Sequence, residues 1–178
     1  MTVAVTGAHG AGKSTLCRAL AATLGWPFHG EIGWELAQQR RVRGEDASQR
    51  QDAFDDRVFR QELARDTDTS GPRVVESWHP GNLAYAAMRS PDVAGRWLAE
   101  VRRASDACAL VVHLTASRET LAARQHEPGP ASFFHEVGEE ALEWSRRLGL
   151  RVLVLDSAVL DPDALLLAVL DGLHERNR

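Results

Sequence analysis

The chain is nearly without lysine: Lys13 is the only one among its 21 lysine and arginine residues. Arginine carries the positive charge elsewhere, so the lone ammonium marks a position that needs a compact cation with freely rotating donors. Cysteine is almost as scarce. Cys17 and Cys108 lie singly in apolar periodic segments, without CxxC or Cys/His spacing. That pattern excludes a disulfide scaffold and a structural zinc site, and buried reduced thiols are expected. No segment reaches the roughly 18 apolar residues needed to span a bilayer, and the opening MTVAVTG lacks a charged region and a cleavage site. A cytoplasmic protein without membrane contact is expected. The net charge is only −4 and like charges form no block, which excludes DNA and RNA as main partners.

What is present suffices for one domain over 1–178, since 178 residues with 44% hydrophobic content can build one core. Short β-branched runs at 3–5, 74–75, 108–114 and 152–155 read as buried parallel strands, with a further short strand at 27–29. Between them lie helical periods. Leu16, Leu20 and Leu24 share one face and stop at Gly25, with Pro27 beyond. Residues 31–43 read as a helix. Residues 45–68 read as an amphipathic helix, with Phe54/Val58 and Phe59/Leu63 at i,i+4 and its charges on a solvated face. Further helices are expected from Ser90-Pro91-Asp92 toward Arg103, at 117–124, within 131–148, and after Asp161 as N-cap with Pro162 at the first helical position. This alternation predicts an α/β fold, an open parallel sheet with helices on both faces. A short lid is expected around 118–132.

The stretch GAHGAGKST, residues 7–15, matches G-x-x-x-x-G-K-[ST] in full and stands between a strand and a helix. Gly7, Gly10 and Gly12 permit backbone conformations in which successive N–H groups converge on an anion, while Ala8, His9, Ala11 and Thr15 complete the loop. Lys13 is expected to bridge the β- and γ-phosphates and Ser14 to ligate Mg²⁺. ATP or GTP with Mg²⁺ is therefore the expected ligand. A GTP-specific switch is disfavoured because an N/T-K-x-D element needs a second lysine.

Carboxylates near this loop suggest the use of the nucleotide. Glu76, at the end of the strand over 74–75, is expected to serve the metal. Glu31, after the strand over 27–29, is expected to face the loop and to orient or deprotonate an acceptor hydroxyl. Trp34, Trp78, His79, Asn82 and Tyr85 place rings and amides where a small ring-bearing acceptor would lie, although each also suits ordinary packing. Arg124, followed by the polar HEPGP loop, is the arginine expected to close over transferring phosphoryl groups; Arg118 reads as a surface residue.

In order and spacing, the phosphate loop, Glu31, the stretch ESWHPGNLAYA and the Arg-bearing segment resemble the nucleoside and nucleotide kinase group of P-loop proteins. The nearest likeness is to small AAA_28-type ATPases and the ribosylnicotinamide kinase domain, with thymidylate and deoxynucleoside kinases further off. The resemblance implies the P-loop NTPase fold, a three-layer α/β/α sandwich with a five-stranded parallel sheet of order 2-3-1-4-5, and an ATP-dependent kinase acting on a hydroxyl of a nucleoside-like or specialised-metabolite acceptor. It implies that Glu31 contacts the acceptor, Glu76 serves Mg²⁺ or substrate, and Arg124 belongs to the lid. Thymidylate and deoxynucleoside kinases usually carry arginine directly after the third-strand carboxylate, where this chain has Ser77, and nucleotide kinases have more lid arginines. Both departures favour a neutral or singly charged acceptor over a nucleoside monophosphate. The alternatives are a nucleoside monophosphate kinase and a nucleotide-binding regulatory NTPase acting through a partner. A monomer or homodimer is expected.

Overall fold

The computed structural model describes residues 1–45, 50–124 and 131–174. In chain order the elements are β1 (Thr2–Gly7), α1 (Lys13–Leu24), β2 (Phe28–His29), α2 (Ile32–Val42), α3 (Gln51–Asp68), β3 (Arg73–Glu76), α4 (Trp78–Arg89), α5 (Pro91–Ser105), β4 (Cys108–Thr115), α6 (Arg118–Arg124), α7 (Ala131–Arg147), β5 (Val152–Asp156) and α8 (Pro162–His174). The five strands form one parallel sheet in the order β2-β3-β1-β4-β5. This is the predicted order.

Alternation along β1 divides the core between two layers. Val3 and Val5 face α1 and α8, where Leu16, Leu20, Leu165 and Val169 are buried with them. Ala4 points to the opposite face, against Val75, Val111 and Trp78. Beyond it α3, α4, α5 and α7 pack around Phe59, Leu83, Ala84 and Val137. The apolar face of α1 ends as predicted, because Gly25 takes the left-handed conformation (φ 68°) that closes a helix. Asp161 caps α8 by accepting the Ala164 N–H at 2.8 Å.

Three expectations change. The helix expected from 45 begins at Gln51, and Gly44 with φ 68° turns the chain after α2; residues 46–49 lie outside the described residues. The charges of α3 are not confined to a solvated face: Asp55 and Glu62 are buried, bonded to Arg89 and Arg65 respectively. Cys17 is buried and its thiol pKa is pushed up by burial, whereas Cys108 is only half-buried. Residues 118–124 of the expected lid are α6, residues 125–130 lie outside the described residues, and α7 starts at Ala131. Among the described residues, no helix is long and apolar enough to cross a membrane.

Candidate functional site

The register sets the position of the site. β1 pairs Val5 with Glu76 of β3 and Gly7 with Leu114 of β4, so the carboxyl ends of the three central strands meet at the phosphate loop. Gly7 has φ 133°, and a Cβ there would stand 2.3 Å from the Leu114 carbonyl oxygen. Gly10 and Gly12 also have positive φ, and Gly12 is the N-cap of α1 without a side-chain cap. The first-turn amides of α1 are therefore directed into the loop, a ready anion site at the positive end of the helix dipole. Lys13 is buried and its Nζ donates to the Ala8 carbonyl at 3.1 Å, which holds the ammonium across the loop. This donor set fits a polyphosphate: converging amides, one ammonium and no acidic side chain in residues 7–15.

Glu76 and Ser77 link the two halves of the site. Ser14 Oγ donates to Glu76 Oε1 at 2.8 Å, and Ser77 Oγ donates to Glu31 Oε2 at 2.7 Å. Burial raises the Glu76 pKa, Glu31 adds to the rise, and Lys13 and the Ser14 bond oppose it. A hydroxyl and a carboxylate facing a polyphosphate cradle suit a hard divalent cation such as Mg²⁺. The sequence marks Ser77 as a departure from the kinase pattern and not as a partner of Glu31. Ser77 sits at φ 62°, ψ −55°, and Trp78 at φ 49°, an uncommon pair of positive φ values for non-glycine residues. The turn is held by the Ser77 N–H donating to the Val5 carbonyl at 2.8 Å. Gly81 lets α4 approach it, since a Cβ there would stand 2.8 Å from Ser77 Cβ.

That turn sends the first residues of α4 into the interior. Trp78, expected near an acceptor, is fully buried against Ala4, Val75 and Val111, and its Nε1 donates to Asp66 at 3.1 Å. His79 is also fully buried and donates from Nε2 to Asp66 at 2.6 Å. Asn82 donates to the buried Glu62 at 3.3 Å. These three side chains face α3 and not the cleft. Tyr85 lies one turn further, within the influence of Glu31 and Arg89; burial raises its pKa, with Glu31 adding to the rise. Its ring neighbours Phe133 of α7, 6.1 Å between centroids, and Phe134 lies 5.1 Å from His9 of the phosphate loop. Phe133 and Phe134 were missed because helical period alone does not separate core rings from cleft rings. Trp34 stands half exposed on α2, three residues after Glu31.

Arg124 closes a different part of the site. Its Nη1 donates to Ser157 Oγ at 3.2 Å and its Nη2 to the Ser157 carbonyl at 3.1 Å. The guanidinium is thus held to the segment after β5. It walls a cavity of about 540 Å³ that runs from Gly10 and Thr15 along Leu16 and Ala19 of α1 to Val159 and Asp161. This volume suits a ring-bearing ligand continuous with the phosphate loop. Residues 157–160 gave no sequence signal and Asp161 only that of a helix cap, because their part in the wall depends on backbone placement.

Two contacts brace the loop from the opposite face. Thr6 and His113 share a buried hydrogen bond of 3.0 Å, and burial, with Lys13 and Arg146 adding to it, brings the His113 pKa down to about 4. His113 is therefore neutral at physiological pH. On α7, Gly138 lies so close to the loop that a Cβ would stand 2.8 Å from the Ala8 nitrogen. Alanine for glycine inside a helix gains about 1 kcal/mol in propensity, whereas overpacking costs about 1–3 kcal/mol. Gly138→Ala is accordingly expected to weaken ADP binding about tenfold in calorimetry, with little change in thermal stability; unchanged affinity would mean that the loop has slack.

Comparison with solved structures shows a shared fold at low identity. A NadR protein in complex with NR matches with a TM-score of 0.74 at 18% identity, over 98% of this chain and 50% of that one, so this chain spans about half that protein's length. Deoxyadenosine kinase from M. mycoides with bound products matches with a TM-score of 0.71 at 14% identity, over 98% of this chain and 99% of that one. A gluconokinase from Sinorhizobium meliloti 1021 gives a TM-score of 0.61 at 19% identity, over 98% and 91%. No curated protein sequence matches. Residues 2–161 match the AAA_28 family, described as an AAA domain, and the complete phosphate loop lies inside that match. On that coverage, the chain belongs to the AAA_28 family of P-loop domains.

Proposed function

We propose that the chain is an ATP-dependent small-molecule kinase, acting as one domain over 1–178 in the cytoplasm, that transfers the γ-phosphoryl group to a hydroxyl of a nucleoside-like or specialised-metabolite acceptor. One observation carries this reading. Consecutive residues Glu76 and Ser77 bind Ser14 on the phosphate side and Glu31 on the other, at 2.8 and 2.7 Å. A group suited to a metal and a group suited to an acceptor proton are thereby held one residue apart. A hydrolytic switch has no need of the second.

In this reading Lys13 and the loop amides hold the phosphates, and the nucleoside occupies the cavity walled by Arg124 and residues 157–161. Mg²⁺, held by Ser14 and Glu76, would draw charge from the phosphate oxygens. Ser77 fixes the direction of Glu31. The acceptor oxygen bonds to the γ-phosphorus as the bond to the ADP oxygen breaks, and Glu31 receives the hydroxyl proton. Tyr85, Phe133 and Trp34 bound the acceptor's side of the cleft. Positioning and charge stabilisation supply the rate, as is general in phosphoryl transfer.

The test is mass spectrometry of a Mg²⁺-ATP reaction with pooled nucleosides, nucleotides and hydroxyl-bearing metabolites. A species heavier by one phosphoryl group, absent with Glu31→Gln, is expected. ADP formation without any phosphorylated species would overturn the kinase reading in favour of a nucleotide-driven regulatory protein. A product found only among nucleoside monophosphates would identify a monophosphate kinase despite Ser77.

A further inference from the structure

We propose that the groove between α7 and the carboxyl end of β4, behind the phosphate loop, is a second ligand site that takes a neutral molecule with an apolar body and one carbonyl oxygen, and that its occupancy is felt by the loop. The site does not rest on the kinase reading above.

The groove, about 360 Å³, has apolar walls from Leu114, Leu121 and Leu142, and Ala8 of the phosphate loop and Gly138 of α7 also line it. Every residue of its lining is among the described residues. One polar side chain in that lining is almost wholly covered: His113 is 3% exposed. The Nδ1 of its ring is taken by Thr6 Oγ1 at 3.0 Å, and its Nε2 has no partner among the described residues. Nε2 is not sealed in the interior, so it is reached from the groove that His113 lines. Thr6 is buried and its hydroxyl has no other acceptor among the described residues, so the hydroxyl proton goes to Nδ1 and the ring proton sits on Nε2. Burial, with Lys13 and Arg146, holds the ring neutral, its pKa brought down to about 4. One N–H donor among apolar walls is the make-up of a small-molecule site. A covered donor left without a partner costs free energy, which an oxygen acceptor recovers.

The surrounding charges select against ions. His135, Glu139, Glu143 and Arg146 follow the groove along one face of α7. Arg146 Nη1 donates to Glu143 Oε1 at 2.7 Å, which neutralises that pair, and Glu139 remains, 3.7 Å from His135 Nδ1. Two carboxylates against one guanidinium repel a free carboxylate. Deeper in, the charges of Lys13 and Arg146 act on the His113 ring and repel a cation. A neutral acceptor, a carbonyl oxygen on an apolar body, is what this combination admits.

The groove shares its wall with the loop. A Cβ at Gly138 would stand 2.8 Å from the Ala8 nitrogen, and Thr6, bonded to His113, directly precedes Gly7. A ligand that bonds Nε2 and rests against Ala8 and Gly138 therefore favours one position of the loop. By linkage, a nucleotide in the loop changes the affinity of the groove by the same factor.

The probe is benzamide, titrated into the full chain with ADP present to fill the nucleotide cavity and followed by backbone amide shifts in NMR. One saturable site is expected, read at Ala8, His113 and Gly138. Toluene, with the same ring and no carbonyl, is expected to bind at least about tenfold more weakly, and so is benzoate. His113→Phe keeps a ring and removes the donor. Benzamide is then expected to weaken about tenfold while toluene binds no more weakly than before, a split that a folding defect does not produce. Leu142→Trp, which fills the groove and leaves the Thr6–His113 bond in place, is expected to abolish the site. Without ADP, the benzamide affinity read at Gly138 is expected to differ by about fivefold. Absence of a saturable site, benzamide affinity unchanged in His113→Phe or in Leu142→Trp, or toluene binding as tightly as benzamide would overturn the site. Benzoate binding as tightly as benzamide would overturn the neutral ligand class, and equal affinity with and without ADP would overturn the coupling. No arm reads phosphoryl transfer, so failure of the kinase reading leaves these outcomes distinct.

Discussion

Replacing Lys13 by alanine is expected to lower kcat/KM for phosphoryl transfer by about 10³-fold while leaving the fold nearly as stable as before. The two halves of this expectation have different causes. Among the described residues the ammonium donates to the Ala8 carbonyl at 3.1 Å, and losing one such bond costs about 1 kcal/mol. In the proposed loaded site the same group would be the single positive side chain of the loop against the β- and γ-oxygens, where preorganised charge screened from water is worth far more than in solvent. Rates of ADP formation and thermal unfolding, measured side by side, check the separation. Turnover close to that of the unaltered chain would rule out the proposed phosphate grip; a matching collapse of stability would make Lys13 a folding residue.

The second large effect concerns stability and lies below the site. Asp66 accepts from Arg73 Nη2 at 2.5 Å, His79 Nε2 at 2.6 Å and Trp78 Nε1 at 3.1 Å. Arg73 is buried, and its remaining bonds go to Thr2 Oγ1 at 3.1 Å and the Arg65 carbonyl at 3.2 Å. Asp66→Ala leaves that guanidinium without a counter-charge, a change worth about 3–5 kcal/mol. By contrast Glu143→Ala, which removes the pairing to the exposed Arg146, is expected to cost less than about 1 kcal/mol. Urea unfolding of the two variants gives the comparison; equal effects would mean that the buried cluster contributes no more than a surface pair.

The pH dependence of the Asp66 effect has a definite sign. Burial alone pushes its pKa up, but the bonds from His79 and Trp78 and the charges of His79 and Arg73 outweigh burial, so the folded-state pKa lies below the ordinary value. The stabilisation is therefore fully present above the unfolded carboxyl pKa of about 3.9 and is lost as pH falls through the lower folded value. The gap between the unaltered chain and Asp66→Ala is expected to stay constant from neutral pH down to about 5 and to narrow only below about 4.

The sequence by itself determined the parts of this protein whose physical cause is local. A loop that needs positive φ at several positions and an ammonium at its end admits few residues, so 7–15 was legible from glycine spacing and one lysine. Strand identity followed from short β-branched runs, and the closure of α1 followed from Leu16, Leu20, Leu24 and Gly25. The parallel sheet followed from the alternation of strands and helices, and its order from the family resemblance that the phosphate loop carries. Only the tertiary structure decided which way side chains face after β3. Ser77 and Trp78 turn with positive φ, which no glycine signals, and this rotates Trp78, His79 and Asn82 inward while directing Ser77 to Glu31, 46 residues away. Periodicity likewise marked α3 as amphipathic but not that Asp55, Glu62 and Asp66 would be covered by arginines from α3, β3 and α4. A charged residue at a helical position reads the same whether it meets water or a buried guanidinium. What distinguishes the two is the approach of a segment distant in sequence, and that approach exists only once the chain has folded.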